Sequence, residues 1–512
     1  MKNFILLFLL LNAVIASANI KLPSVIGDHM VLQQNTKVKI WGWADAGERV
    51  SIKTGWLKQP LTIITGKDGR WSSTLSTIKA GGPYEIILQG KNSIHIADVW
   101  LGEVWLCSGQ SNMDMTVARE DRYWCGVYNE AEEVATANYP QIRVFDAAFT
   151  PTDTVKKDVS GQWEICTPTT VKHFSAAAYF FARDLQQQLK VPVGLITTAY
   201  GASTAEAWIS RQELKSFPEL LEDYARRKAA YDTSITAQKK YEADLNKWSV
   251  AVIAAKAEGK DLPREPKNPN PEKDQHSPAV LYNGMVAPLI PYTIKGALWY
   301  QGESNTSKPA LYRALMEALI ANWRKDWQQG AFPFLYVQLA NYGKLDSLPV
   351  NEKGTVLIRE AQLENLSIPH TGMVVAIDNA NPDKPEDIHP KNKQAIGQRF
   401  SLLARATVYG EKISYSGPMY QRMQVEGNKV RLYFEHTDGG LKCRDNVLKG
   451  FAIAGADKQF VWANATIEGN TVLLSSEQVP HPVAVRYAWA SNPPANLYNK
   501  ADLPASPFRT DK

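Results

Sequence analysis

Val104-Trp105-Leu106-Cys107-Ser108-Gly109-Gln110-Ser111-Asn112-Met113 is the stretch that decides the fold. An apolar run stops abruptly at a small, turn-forming cluster with a serine at its centre. A buried parallel strand would carry the chain to the carboxyl edge of a sheet, where a sharp turn at Gly109 would lift the Ser111 hydroxyl clear. The helix that follows would point its free backbone N–H groups at the same spot. That is how a hydrolase displays a nucleophile. A Gly-x-Ser turn also occurs as plain solvated loop, so the remaining sequence has to discriminate.

Three further segments do so. Ala199-Tyr200-Gly201-Ala202-Ser203, Trp299-Tyr300-Gln301-Gly302-Glu303-Ser304-Asn305 and Asp387-Ile388-His389-Pro390 each follow or adjoin an apolar run that reads as a strand. Together they supply a nucleophile, backbone and amide donors, and a histidine base with carboxylates beside it. In this order the four segments resemble the sialate O-acetylesterase-like family of SGNH hydrolases. Tyr282-Asn283-Gly284-Met285-Val286-Ala287-Pro288-Leu289, Leu497-Tyr498-Asn499-Lys500 and Leu503-Pro504-Ala505-Ser506-Pro507-Phe508 extend the resemblance over nearly the whole chain. It implies an α/β fold: an SGNH-hydrolase catalytic domain, flavodoxin-like and three-layered around a parallel sheet, flanked by β-rich N-terminal and C-terminal modules.

The composition agrees with a multidomain globular enzyme. At 512 residues the chain exceeds one ordinary core, and 44% hydrophobic content is normal for globular protein. A net charge of +5 is spread over 57 basic and 52 acidic residues without a long basic block, which argues against a nucleic-acid partner. Residues 1–18 carry Lys2, the apolar run Phe4 to Leu11 and the ending Ala16-Ser17-Ala18, the pattern of a secretory signal peptide. The run is too short to span a bilayer and no later stretch is long enough, so a secreted or periplasmic protein without a transmembrane segment is expected. No cysteine suggests a lipid anchor at the cleavage region.

Export permits disulfides between Cys107, Cys125, Cys166 and Cys443, and the sequence does not choose among the three full pairings. Cys107 reads as a small core residue of the strand before Ser111. Neither Cys-x-x-Cys nor His-x-x-x-His spacing occurs, so no metal and no cofactor are expected.

Along the chain, residues 19–97 read as short strands separated by turns such as Lys67-Asp68-Gly69, which favours a small β-sandwich. From 98 to 409 apolar runs alternate with amphipathic helical patterns, as in an α/β sheet. Leu311, Leu315, Leu319 and Trp323, for example, recur every four residues and make one helical face. Residues 211–275 interrupt that rhythm with a charged, helix-prone part and a proline-rich part, which reads as an inserted helical hairpin followed by a surface loop. Strands return over 410–512.

Ester hydrolysis needs a nucleophile, a base, and donors waiting where negative charge appears. Ser111 is the expected nucleophile, and His389, with an ordinary pKa near ~6.5, the expected general base and acid. The resemblance implies the backbone N–H groups of Ser111 and Gly201 as oxyanion donors, with a third amide from Gln301 or, second, Asn305. For the acid orienting His389, Asp387 ranks ahead of Glu386, and a backbone carbonyl is third. Among the tryptophans, Trp208 and Trp299 are the better candidates to line the site for sugar stacking, with core packing ranked ahead of that role for both. Glu303 belongs beside the substrate, where it braces its loop by accepting hydrogen bonds.

The implied activity is removal of O-acetyl groups from a carbohydrate through a serine acyl-enzyme. The resemblance points to sialic acid, chiefly its side-chain acetyl esters. An acetylxylan or other plant-polysaccharide deacetylase is the alternative within the class. A carbohydrate-binding surface protein with a dead hydrolase domain is the alternative outside it, against which the intact Ser111 and His389 stand. Oligomeric state is not legible.

Overall fold

A computed structural model describes residues 19–511 except 121, 261 and 264; the leader-like segment 1–18 lies outside the described residues. The described residues open with seven strands: β1 (Val31–Gln33), β2 (Lys37–Trp43), β3 (Arg49–Thr54), β4 (Leu61–Ile64), β5 (Arg70–Ser76), β6 (Gly81–Gln89) and β7 (Ser93–Gly109). β2 pairs with β5, while β3, β4 and β6 join β7 in antiparallel register. Alternate residues such as Val38, Ile40, Val50, Ile52, Ile86 and Leu88 turn into one buried core, as a period of two dictates. At 17 residues β7 is the longest strand and passes through the expected 97/98 boundary without a linker. Its first half closes the N-terminal sheet and its second half is the centre of the catalytic sheet.

That catalytic sheet adds β8 (Tyr139–Asp146), β9 (Trp163–Cys166), β10 (Val193–Ala199), β11 (Gly296–Tyr300), β12 (Phe334–Val337) and β13 (Thr371–Val374) in the order β13-β12-β11-β7-β10-β8-β9. All neighbours are parallel except the edge strand β9. β7 sits where the strand order reverses, and the crevice outside such a switch point is where open α/β sheets bind ligands. Register makes this concrete. Gly109 is paired with Ala199 on one side and Tyr300 on the other, so three of the four sequence blocks end flush at one edge.

Among the described residues eight α-helices accompany the strands: α1 (Ser111–Asp114), α2 (Glu130–Ala135), α3 (Ala176–Leu189), α4 (Pro218–Asp232), α5 (Ile235–Ala257), α6 (Pro309–Trp327), α7 (Gly354–Glu364) and α8 (Lys393–Thr407). Because side chains alternate across a strand, Trp105 and Cys107 join a core with α3 and α8. Val104 and Leu106 join the opposite core with α6 and α7. The result is a three-layer α/β domain of SGNH-hydrolase architecture carrying β-rich regions at both ends. Burial pushes the Cys107 thiol up, as fits a core residue, and the four cysteines are unpaired.

α4 and α5 make the hairpin of the 211–275 insertion; α4 buries Leu220 and Tyr224, whereas α5 buries nothing. After Thr407 the described residues form two four-stranded antiparallel sheets and a two-stranded one, and the stretch after Tyr487 packs on the catalytic domain. There the fully buried Arg359 of α7 donates to the carbonyls of Ala490 and Ser491, and Tyr498 donates to Asp378 at 3.1 Å. Among the described residues no helix is long and apolar enough to cross a membrane.

Candidate active site

Gly109 ends β7 with φ +143°, a conformation that disfavours L side chains, and a Cβ there would collide with the Tyr300 carbonyl. Its neighbour Gln110 donates its backbone N–H to that carbonyl at 3.0 Å, and its side-chain oxygen accepts from the amides of Gly302 and Ser304 at 3.2 Å each. The nucleophile turn is thereby tied to the third block. α1 starts at Ser111, which is 8% exposed. A Cβ on Gly201 would stand 3.7 Å from the Ser111 Cβ and 3.8 Å from Asp114 Oδ2, so the second block lies against the serine. The Gly201 amide also faces the Asp114 carboxyl, whose pKa burial pushes up while Arg122 and that amide pull it back.

Asn112 joins the serine turn to the histidine loop. Its amide nitrogen donates to the Ile388 carbonyl at 3.0 Å and to Glu303 Oε1 at 2.6 Å, and its oxygen accepts from Lys393 Nζ at 2.7 Å. Lys393, the first residue of α8, also donates to the Pro390 carbonyl at 2.7 Å and is fully buried. Burial drives its pKa down to about 7 and pushes that of Glu303 up; the second oxygen of Glu303 has no partner among the described residues. A small cleft of about 100 Å³, lined by Glu303, Asn341, Tyr342 and Ile388, opens beside this network.

His389 itself is 16% exposed. Its Nδ1 is 3.4 Å from Asp387 Oδ1, the same oxygen that accepts the His389 backbone N–H at 3.0 Å. Glu386 is exposed and turned to solvent. Burial, then the Lys393 charge, pulls the imidazole pKa down to about 4, with Asp387 opposing. The Trp124 ring lies on the imidazole at 4.8 Å, and the Arg122 guanidinium lies over Trp124 at 4.9 Å while holding Asp114 at 3.0 Å. On the β10 side, Tyr200 and Phe149 stack face to face with centroids 3.4 Å apart, and Glu265 of the inserted loop is close enough to act on the Tyr200 hydroxyl.

Four expectations from the sequence need correction. Gln301 is fully buried, and its amide already donates to the Ser203 carbonyl at 3.1 Å and Asn305 Oδ1 at 2.7 Å, leaving no N–H to face a substrate. Asn305 is also buried, its oxygen accepting from Ala205 N and its nitrogen donating to Glu206 Oε2. Trp208 and Trp299 do not line the site: both are fully buried, pack edge-to-face against each other, and Trp208 Nε1 bonds Ser203 Oγ at 3.0 Å. Removing such a ring costs about 3–5 kcal/mol of packing, so these two hold the second and third blocks from below. Trp124, Arg122, Asn112 and Lys393 are the site residues that motif reasoning missed. Lys393 had one sequence signal: a lysine in the first turn of a helix opposes the helix dipole and needs a local reason.

A sheet edge at a topological switch point, with the serine turn against the glycine of the second block and tied through Asn112 to the histidine loop, has the arrangement of an α/β ester hydrolase. The family described as carbohydrate esterase, sialic acid-specific acetylesterase matches residues 101–255 and 270–405, a span whose gap falls in the proline-rich inserted loop. The sialate O-acetylesterase of Rattus norvegicus is 30% identical over 96% of this chain and 94% of its own length, and that of Homo sapiens 29% over 96% and 93%. A carbohydrate acetylesterase from Xanthomonas citri superposes with a TM-score of 0.80 at 33% identity, covering 96% of this chain and 100% of its own. The chain belongs to the sialic acid-specific acetylesterase family of carbohydrate esterases.

Proposed function

We propose that this protein is an exported sialate O-acetylesterase that works through an acetyl-serine intermediate. Ser111 Oγ attacks the acetyl carbonyl while His389 takes its proton. The backbone amides of Ser111 and Gly201 donate to the developing oxyanion, and collapse expels the sugar oxygen, which His389 reprotonates. Water, deprotonated by the same histidine, then releases acetate. The observation that carries this reading is Asn112, which bonds both the residue before His389 and the loop of Glu303 and so fixes the serine turn against the base.

Sialate is favoured over a neutral glycan by Arg122. It is a partly exposed cation, 38% accessible, stacked on the tryptophan that covers His389, and therefore in place to meet a sugar carboxylate while the ring meets an apolar sugar face. Export rests on the pattern of residues 1–18, and N-terminal sequencing of the native-host protein should begin near Asn19.

Acetate release should be compared on O-acetylated sialic acid, acetylated xylan and a small chromogenic acetate. Ser111→Ala should lose at least about 10³-fold in kcat on each, with an unchanged melting transition. Arg122→Leu should raise KM for the sialate ester alone. Faster turnover of acetylated xylan than of the sialate ester would transfer the protein to plant-polysaccharide deacetylation.

A further inference from the structure

A groove of about 630 Å³ lies apart from the catalytic residues. It lies between the β2–β5 ribbon and the catalytic domain, and neither Ser111, Gly201 nor His389 touches it. On β2 the inward positions are Val38, Ile40 and Gly42, so Lys39, Trp41 and Trp43 project from the opposite face, where a strand normally carries small polar residues. Arg70 of β5 stands directly opposite Trp43 in register. The far wall is Lys156 and Lys157, with the apolar Pro288 beside them.

Both tryptophans are partly exposed. Trp41 is anchored at one edge by Tyr292, with ring centroids 6.4 Å apart, yet the space between the walls stays unfilled. Packing between the modules therefore does not account for the pair of rings. Four cations line the groove against a single acid, Asp68, which is 3.8 Å from Arg70. Lys39, Lys156 and Lys157 make no ion pair among the described residues. Aromatic faces suit the apolar face of a pyranose, and unpaired ammonium groups suit carboxylates.

We propose that this groove is a second carbohydrate subsite that takes an anionic glycan chain, holding a polymeric or branched substrate while one acetylated residue occupies the catalytic edge. The choice of an acidic over a neutral glycan rests on the sialate reading above together with the cation lining.

The test titrates protein whose active serine is capped by a phosphonate, following indole fluorescence. The probes are de-O-acetylated oligosialic acid, a neutral xylo-oligosaccharide and an oligonucleotide of matched charge. Oligosialic acid alone should saturate, and its affinity should fall about tenfold in both Trp43→Ala and the Lys39→Glu/Lys156→Glu/Lys157→Glu variant. Turnover of a small chromogenic acetate by the uncapped variants should be unchanged. The three lysines are exposed, so the charge variant keeps the test valid if Trp43→Ala unfolds. Absence of binding, equal binding by the variants, or equal binding of the neutral sugar or the oligonucleotide overturns the subsite. Selective binding of oligosialic acid by a protein that fails to deacetylate sialate esters keeps the subsite and overturns the function proposed for the catalytic edge.

Discussion

Lys393 Nζ donates to Asn112 Oδ1 at 2.7 Å, joining the first residue of α8 to the residue after the nucleophile. A second donation to the Pro390 carbonyl clamps the histidine loop to the same ammonium. One buried cation thus ties the serine turn to the base and adds positive charge beside the imidazole.

The pH dependence follows from burial of the imidazole and, second, from that charge, both of which lower its pKa. A histidine held at about 4, below its ordinary 6.5, is neutral and able to accept a proton at every pH above the lowered value. The acid limb of kcat/KM should therefore lie near 4 to 5 rather than 6.5. Lys393→Met removes a positive neighbour, lets the imidazole pKa rise and moves the limb to higher pH, whereas Lys393→Arg keeps the charge and should keep the limb low. An acid limb that stays put in Lys393→Met would remove the electrostatic role of this lysine.

Asp387 and Glu386 are neighbours in sequence but differ in environment. Asp387→Asn should reduce kcat by up to about 10⁴-fold, because its Oδ1 is the acceptor beside His389 Nδ1. Glu386→Gln should leave kcat near wild type, since that side chain is exposed. Steady-state kinetics of the two variants decide the point, and a crippled Glu386→Gln enzyme would reverse the assignment.

Gln301→Ala should act on stability. The variant leaves the Ser203 carbonyl without its donor in a fully buried setting, a loss of about 1–3 kcal/mol. The folded fraction should lose far less than the ~10²–10³-fold in kcat that removal of an oxyanion donor produces. Melting temperature and active-site-titrated kcat together test this; a stable variant with collapsed kcat would restore Gln301 to the oxyanion hole.

Gly109→Ala should fail to fold or lose the site outright. The new methyl would need a strained φ and would strike the Tyr300 carbonyl, which also accepts the Gln110 N–H. Soluble, active Gly109→Ala protein would show that the nucleophile turn can be rebuilt around a side chain.

Much of the architecture was legible because it rests on short-range patterns. The apolar runs of β7, β10, β11 and β12, the four-residue repeat of α6 and the proline-rich interruption after α5 are written in consecutive residues. Ser111 and Gly201 follow strand ends for the same reason, whereas His389 lies in the loop between β13 and α8. The alternatives at the third block were not separable, since Gln301 and Asn305 carry the same amide and only the tertiary structure shows that both are buried and bonded inside.

The sequence by itself determined the order of the blocks, the turn at Gly109 and the alternation of strand and helix, since steric freedom and hydrophobic period act between near neighbours. The tertiary structure alone decided which side chains face the substrate edge. Trp208 and Trp299 sit within or beside the motifs yet point into the core, while Trp124 and Arg122, in a segment without periodicity, lie over the histidine. Lys393 acquires its lowered pKa only by being enclosed between α8 and the serine turn. Solvent exclusion is a property of the packed assembly, and it converts an ordinary lysine, histidine or tryptophan into a working part of a site.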